Sequence, residues 1–171
     1  MTIDDDGCSL KTLLTFVPDE RKKEVRDHVL DVCKNGCDID TSFIGFICDY
    51  INYAAVLERK LFSHEIDTSR FTGGPAQKKP PLTVYDVGCA SAFQHLVFDP
   101  RIHYVGIDVG HEPQFFRDNC RFVQGRFADV ADQLNIDSEY AIGIANMSLF
   151  YLGQPDDWEA FDRLFRRKFV L

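Results

Sequence analysis

Residues 82–92 have the sequence LTVYDVGCASA, an apolar run that leads into a turn of small residues. A short run rich in β-branched and aromatic residues is typical of a strand that is buried on both faces of a parallel sheet. A second run, HYVGID at residues 103–108, has the same character and ends on a carboxylate. Two such runs in succession predict neighbouring parallel strands of an alternating α/β arrangement.

The turn after the first run has features of a nucleotide-binding βαβ unit. Gly88 can adopt a positive φ and lets a ligand approach the backbone closely. We predict that a helix begins at residues 93–98, with free N–H groups directed at the turn. Asp108 lies 22 positions after Asp86, close to the offset of about 20 residues at which such a unit presents an acid to a ribose. A plain turn without a ligand is the alternative, because a strand that ends in Asp-x-Gly also occurs in other α/β proteins.

The pattern of the chain predicts an N-terminal helical segment over residues 1–72, a linker over residues 73–81 and an α/β domain over residues 82–171. The linker is rich in Gly, Pro and Lys and has no apolar period. In the first segment, apolar residues recur at intervals of three and four, which predicts helices over 18–35 and from an N-cap at 40–42 to about 63. Further elements predicted in the α/β domain are strands at 121–124 and 140–146, the opening of a fifth strand at 169–171, and helices at 127–134 and 156–167.

Four motifs in the second half of the chain occur in the order that is typical of class I S-adenosylmethionine-dependent methyltransferases, and the chain resembles that family. They are DVGCASA at residues 86–92, GID at 106–108, FVQG at 122–125 and ANMSLFYL at 145–152. The resemblance implies a Rossmann-like α/β fold with a mostly parallel sheet and flanking helices, preceded here by a helical segment. The chain provides four strands and the opening of a fifth, so the predicted sheet is shorter than the family's usual seven strands.

The resemblance also implies S-adenosylmethionine as the cofactor and assigns residues to its parts. Asp86 and Gly88 match the first motif, which in the family lies beside the methionine part of the cofactor. Asp108 matches the acid that binds the ribose hydroxyls, and Gly125 matches the glycine near the adenine. The candidate cofactor-binding residues are therefore Asp86, Gly88, Cys89, Ala90, Asp108, Val109, Arg126 and Phe127.

The chain departs from the family pattern at two places. Ala90 and Ala92 stand where the first motif has its second and third glycines, and Arg126 stands where the family usually has an acid. Asn146 matches a polar position at the end of the fourth strand and is the candidate catalytic residue, because it can hydrogen-bond an amine or hydroxyl acceptor. Two functions stay open: a methyltransferase with an unidentified acceptor, or a methyltransferase-like binding or regulatory protein that is inactive alone or needs a partner chain.

The composition limits the partners of the chain. A net charge of −8 argues against a broad surface for nucleic acid, because such a surface needs clustered Lys and Arg. We therefore expect a small-molecule or protein methyl acceptor, with nucleic acid less favoured. The spacing of Cys33, Cys37, Cys48 and His64 matches no zinc pattern, so we expect no metal site.

The sequence predicts a cytoplasmic protein without a membrane association. The first residues are acidic rather than apolar, and no run reaches membrane-spanning length without a charge. The six cysteines are dispersed along the chain, which suits reduced and buried thiols. The edge of a fifth strand is able to pair with another chain, so we also expect a protein partner or a second copy to complete the sheet.

Overall fold

The computed structural model describes residues 14–34, 44–62, 81–90, 92–113, 117–145 and 154–170. These residues divide into two compact units. The first unit contains two long helices and the short segment Leu96–Phe98. The second unit contains a β-sheet and the short helices that cover it. None of the helices in the described part of the chain combines the length and the apolar character needed to cross a bilayer.

The helices of the first unit are α1, Asp19–Lys34, and α2, Ile44–Phe62. They lie where the sequence predicts them, although the predicted N-cap of α2 falls outside the described residues. α1 follows Pro18 and has two acidic residues in its first turn, which the positive end of the helix dipole favours. The guanidinium of Arg21 on α1 pairs with the carboxylate of Glu58 on α2 at 3.3 Å. Apolar side chains of both helices are buried.

The sheet of the second unit is all parallel, with the strand order β3-β2-β1-β4-β5. This arrangement confirms the predicted Rossmann-like α/β fold, in which strands added on both sides of β1 place the ligand crevice at the carboxyl ends of the central strands. The strands are β1, Thr83–Val87; β2, His103–Asp108; β3, Cys120–Gln124; β4, Ala141–Ala145; and β5, Lys168–Val170.

One face of the sheet carries a hydrophobic core. Two α-helices cover that face: α3, Phe127–Val130, which continues into a 3₁₀ helix at Ala131–Gln133, and α4, Pro155–Leu164. The ring centroids of Phe161 and Phe165 lie 5.1 Å apart within this core. The core is formed by Tyr85, Val87, Val105, Ile107, Phe127, Val130, Ala131, Leu134, Ala141, Ala145, Ala160, Phe161 and Phe165.

Three helices of the second unit are shorter than the sequence predicts. The segment after β1 forms a 3₁₀ helix at Phe93–Leu96 instead of an α-helix, and the backbone carbonyl of Ala92 accepts hydrogen bonds from both the N–H and the Nδ1 of His95. α3 has a single turn before its 3₁₀ continuation, and α4 ends at Leu164. α4 ends early because Phe165 adopts an extended conformation and places its ring in the core. Tertiary packing therefore overrides the helical pattern at this position.

The contact between β4 and the end of α4 requires a glycine at position 143. A Cβ atom added to Gly143 would lie 2.5 Å from the ring of Phe165, which is fully packed in the core. We expect Gly143→Ala to lower the free energy of unfolding by about 1 to 3 kcal/mol, because overpacking forces the ring or the strand to move. Urea denaturation measures this difference, and a change smaller than about 0.5 kcal/mol would contradict the packing described here.

Candidate functional site

The carboxylates of Asp86 and Asp108 share one face of the sheet at the carboxyl ends of β1 and β2. Asp86 lies opposite Gly106 in the register of these strands. Because side chains alternate between the faces of a strand, Tyr104 and Asp108 lie on the same face as Asp86. This is the face opposite to the aromatic core, so the sheet separates the two acids from that core.

Asp86 is completely buried. The hydroxyl of Tyr104 donates a hydrogen bond to its Oδ2 atom, whereas its Oδ1 atom is buried without a hydrogen-bond partner in the described part of the chain. Burial raises the pKa of Asp86 to about 7, the hydrogen bond from Tyr104 opposes this rise, and the negative charge of Asp108 adds to it. Asp86 is therefore a carboxyl group whose charge changes near neutral pH.

Asp108 joins the turns that follow three strands. Its Oδ2 accepts the N–H of Ala90 at 3.0 Å, and its Oδ1 accepts the N–H of Gly110 at 2.8 Å. Its backbone carbonyl accepts the N–H of Gly125 at 2.9 Å. Each carboxylate oxygen has a second lone pair, so the partly exposed side chain can still accept hydrogen bonds from the two hydroxyls of a cis-diol.

The turn after β1 has a left-handed backbone at three of its described residues. The φ angles are 73° at Gly88, 46° at Ala90 and 53° at Ala92. The backbones of Ala90 and Ala92 thus lie in the left-handed region, which favours glycine and disfavours an L side chain. The N–H groups of Gly88 and Cys89 both point to the carbonyl of Ile107, at 2.7 and 3.3 Å, and hold the turn against β2.

Cys89 fills the space above β2 between the two acids. A Cβ atom at Gly106 would lie 2.7 Å from its Sγ atom, so the glycine makes room for the thiol. Burial raises the pKa of the Cys89 thiol, and the negative charges of Asp86 and Asp108 raise it further. The thiol is therefore neutral and packs as a small apolar group rather than as a nucleophile.

The remaining sequence-predicted residues are placed differently. Val109 directly follows Asp108 and is 56% exposed. Phe127 is 3% exposed and belongs to the core of the opposite face, where its ring stacks on Phe165 at a centroid distance of 5.9 Å. Its ring is therefore enclosed by the protein's own side chains and does not join the surface that carries Val109. The candidate catalytic residue Asn146 lies outside the described residues.

Arg126 connects the turn after β3 with the start of α4. Its guanidinium pairs with Asp156 at 2.7 Å and with Asp157 at 3.3 Å. Asp157 is buried and also accepts the N–H groups of Ala128 at 2.9 Å and Gln154 at 3.0 Å. These bonds give Arg126 and Asp157 a role in positioning this turn.

Two positioning residues were missed by sequence reasoning. Asp157 lies three positions after the N-cap residue Gln154, which is the spacing of a capping box and a signal that the sequence contains. Tyr104 had no signal of its own, because its contact with Asp86 follows from the register of β1 and β2. His, Cys, Asp and Glu residues in the described ranges form no group of three or more that could hold a metal ion.

Comparison with solved structures finds a methyltransferase that is similar to this chain. No family model matches the chain, and no curated protein matches it. Among solved structures, the MycE methyltransferase from the mycinamycin biosynthetic pathway, in complex with Mg and SAH, is similar with a TM-score of 0.39 and 17% sequence identity. The match covers 87% of this chain and 41% of the MycE chain, so this chain spans less than half the length of MycE.

The left-handed conformation of Ala90 predicts a stabilising substitution. Ala90 is exposed, so Ala90→Gly removes a disfavoured Cβ without the loss of buried surface. We expect the free energy of unfolding to rise by about 1 kcal/mol. Ala128→Gly, in the helical conformation of α3, is the matched control and should lower it by about 1 kcal/mol. Urea denaturation of both variants tests this, and a loss of stability in Ala90→Gly would exclude the turn conformation.

The buried carboxyl of Asp86 predicts a pH-dependent stability. Between the ordinary pKa of 3.8 and the raised value of about 7, the unfolded chain loses the proton while the folded chain keeps it. Stability contributed by protonated Asp86 is therefore present at acidic pH and is lost as the pH rises through this window.

Asp86→Asn keeps a neutral side chain of the same shape and is the variant that isolates this effect. The advantage of Asp86→Asn over the wild type should grow with pH between pH 4 and pH 8, by at most about 4 kcal/mol. Urea denaturation across this range measures it. If the difference between the two proteins does not depend on pH, Asp86 does not titrate in this window.

Proposed function

We propose that the chain binds S-adenosylmethionine at the carboxyl ends of β1 and β2 and transfers its methyl group to an acceptor. The observation that carries this proposal is the pair of acids on one face, joined through a turn that is left-handed at residues 88, 90 and 92. Such a turn presents backbone groups to a ligand, and the acid at the end of the neighbouring strand is suited to a ribose.

The chemistry of the cofactor fits these residues. S-adenosylmethionine has a sulfonium, an ammonium and a carboxylate at one end and a neutral ribose and adenine at the other, with no phosphate to neutralise. Asp108 would accept the ribose hydroxyls, and the turn of Gly88, Cys89 and Ala90 would lie against the methionine part. The exposed side chain of Val109 would offer apolar surface to the adenine. Arg126 would act through the turn that it holds and not through its paired guanidinium.

Methyl transfer is an in-line displacement, in which the acceptor forms a bond to the methyl carbon while the bond from that carbon to sulfur breaks. The products are the methylated acceptor, S-adenosylhomocysteine and, for a neutral amine or hydroxyl acceptor, a proton. Positioning supplies much of the acceleration in such a reaction. Asn146 is the residue that we propose for orienting the acceptor. The net charge of −8 supports a small-molecule or protein acceptor over nucleic acid.

A second candidate is a methyltransferase-like binding or regulatory protein, inactive alone or dependent on a partner chain. Two observations favour it: both carboxylate oxygens of Asp108 already accept backbone hydrogen bonds, and Asp86 is closed off from solvent. The partner in this proposal is a protein chain or a second copy that extends the sheet at β5, where Val170 is exposed. The thiols of Cys89 and Cys120, which form no disulfide with another described residue, are consistent with the proposed cytoplasmic location.

Cofactor binding is tested by calorimetric titration with S-adenosylmethionine and with S-adenosylhomocysteine. We expect both to bind, and Asp108→Ala to weaken binding by about 1.5 to 3 kcal/mol, because a charged acceptor of hydrogen bonds is removed. Asp132→Ala removes an exposed carboxylate elsewhere in the chain and is the matched control. An unchanged dissociation constant in Asp108→Ala contradicts the ribose role. If neither compound binds at millimolar concentration, the chain is not a cofactor-binding protein under either candidate function.

Catalysis is separated from binding by a second experiment. The chain is incubated with S-adenosylmethionine that carries a labelled methyl group, and with small-molecule and protein fractions of a cell extract as acceptors. Transfer of the label to one fraction supports the methyltransferase. Binding of the cofactor without any transfer, both alone and with a co-purified partner chain, favours the regulatory protein instead.

A further inference from the structure

The buried carboxyl group of Asp86 has an unsatisfied atom. Tyr104 hydrogen-bonds to Oδ2, but Oδ1 is enclosed and finds no donor in the described part of the chain. A buried charge without a partner is costly, so an ionised Asp86 is unfavourable while the site is empty. The geometry alone therefore favours a proton on this carboxyl group.

The groups around Asp86 offset a negative charge there only in part. On β2, Tyr104 provides one hydrogen bond, and Asp108 contributes a like charge. In the turn after β1, the thiol of Cys89 is neutral and is itself affected by the charge of Asp86. On β4, the residue opposite Asp86 is the apolar Ile144. His95, on the 3₁₀ helix, has its ring 5.9 Å from the ring of Tyr104.

None of the described Lys and Arg side chains offsets the charge of Asp86. Among the described residues, no Lys or Arg is a cause of the pKa shift of Asp86. A pair of neighbouring acids that lacks a cation is an arrangement that a positively charged ligand can complete. The cation would relieve the repulsion between Asp86 and Asp108 and would stabilise the charged form of the buried carboxyl group.

We propose that Asp86 holds a proton in the empty site and releases it to solvent when a cationic ligand binds at the turn of Gly88, Cys89 and Ala90. The O–H bond of the carboxyl group breaks, the proton passes to the buffer, and the carboxylate pairs with the ligand's positive charge. This inference rests on the proposed function, because S-adenosylmethionine supplies that charge through its ammonium and sulfonium groups. It adds that cofactor binding is coupled to pH.

The size of the coupling follows from the charges. An opposite charge within about 4 to 6 Å lowers the pKa of a carboxyl group by about 1 to 3. With a pKa of about 7 in the empty site, a lowering by about 2 makes binding at pH 6 release most of one proton. The affinity for S-adenosylmethionine should rise about tenfold between pH 5.5 and pH 7.0, a range below the titration of the ligand's own amine.

Calorimetric titration of the full chain with S-adenosylmethionine tests the coupling. At pH 6, the observed enthalpy is compared in two buffers of different ionisation enthalpy, which counts the protons released. The wild type should release a proton and bind about tenfold more tightly at pH 7.0 than at pH 5.5. Asp86→Asn should release none and lose this pH dependence, whereas Asp132→Asn, at an exposed carboxylate, should behave as the wild type. Proton release that is unchanged in Asp86→Asn overturns the inference.

A second measurement needs neither the variant nor the ligand. The side-chain carboxyl carbon of Asp86 is followed by NMR in the free wild-type chain as the pH is raised. A midpoint near neutral pH supports the inference, and a midpoint below about pH 5, close to an ordinary carboxyl group, overturns it. If Asp86 titrates near neutral pH but S-adenosylmethionine does not bind, the proposed function fails, and S-adenosylmethionine is not the cationic ligand. If the cofactor binds without proton release, only this inference fails.

Discussion

The hydrogen bonds of Asp108 hold the candidate site together. Its two carboxylate oxygens accept the N–H groups of Ala90 and Gly110, and its carbonyl accepts the N–H of Gly125. One residue at the end of a central strand therefore links the turns after β1, β2 and β3. Parallel strands bring these turns to the same edge of the sheet, so a ligand bound there would contact all three. The hydrogen bonds that link the turns are already present without a ligand.

Several features of this edge are unfavourable for stability. Ala90 and Ala92 have left-handed backbones, and the completely buried Asp86 lies near a second acid without a basic partner among the described residues. The aromatic core on the other face is filled by apolar residues. There, the absence of a side chain at Gly143 leaves space for the ring of Phe165. A left-handed backbone at two alanines and a buried carboxyl group at the same edge of the sheet are typical of a functional site.

The sequence was sufficient for the strands and for α1 and α2, but not for the lengths of the helices in the second unit. Each strand is a short apolar run between turn residues, and this local signal predicted all five strands. Helix lengths depend on tertiary contacts: Phe165 leaves the helical pattern of α4 because its ring packs in the core. The motif predicted that Asp86, Gly88 and Asp108 belong together. The contact of Tyr104 with Asp86 and the burial of Phe127 depend on register and packing, which no single stretch of sequence contains.

The central claim is that an adenosyl ligand binds against the turns that Asp108 joins. NMR spectra of the backbone amides during a titration with S-adenosylmethionine test it most directly. The account predicts that the amide signals of Ala90 and Gly110 shift together and saturate at the same concentration, while that of Lys168, at the start of the edge strand β5, stays in place. Signals of Ala90 and Gly110 that do not respond to a ligand that binds would contradict the account.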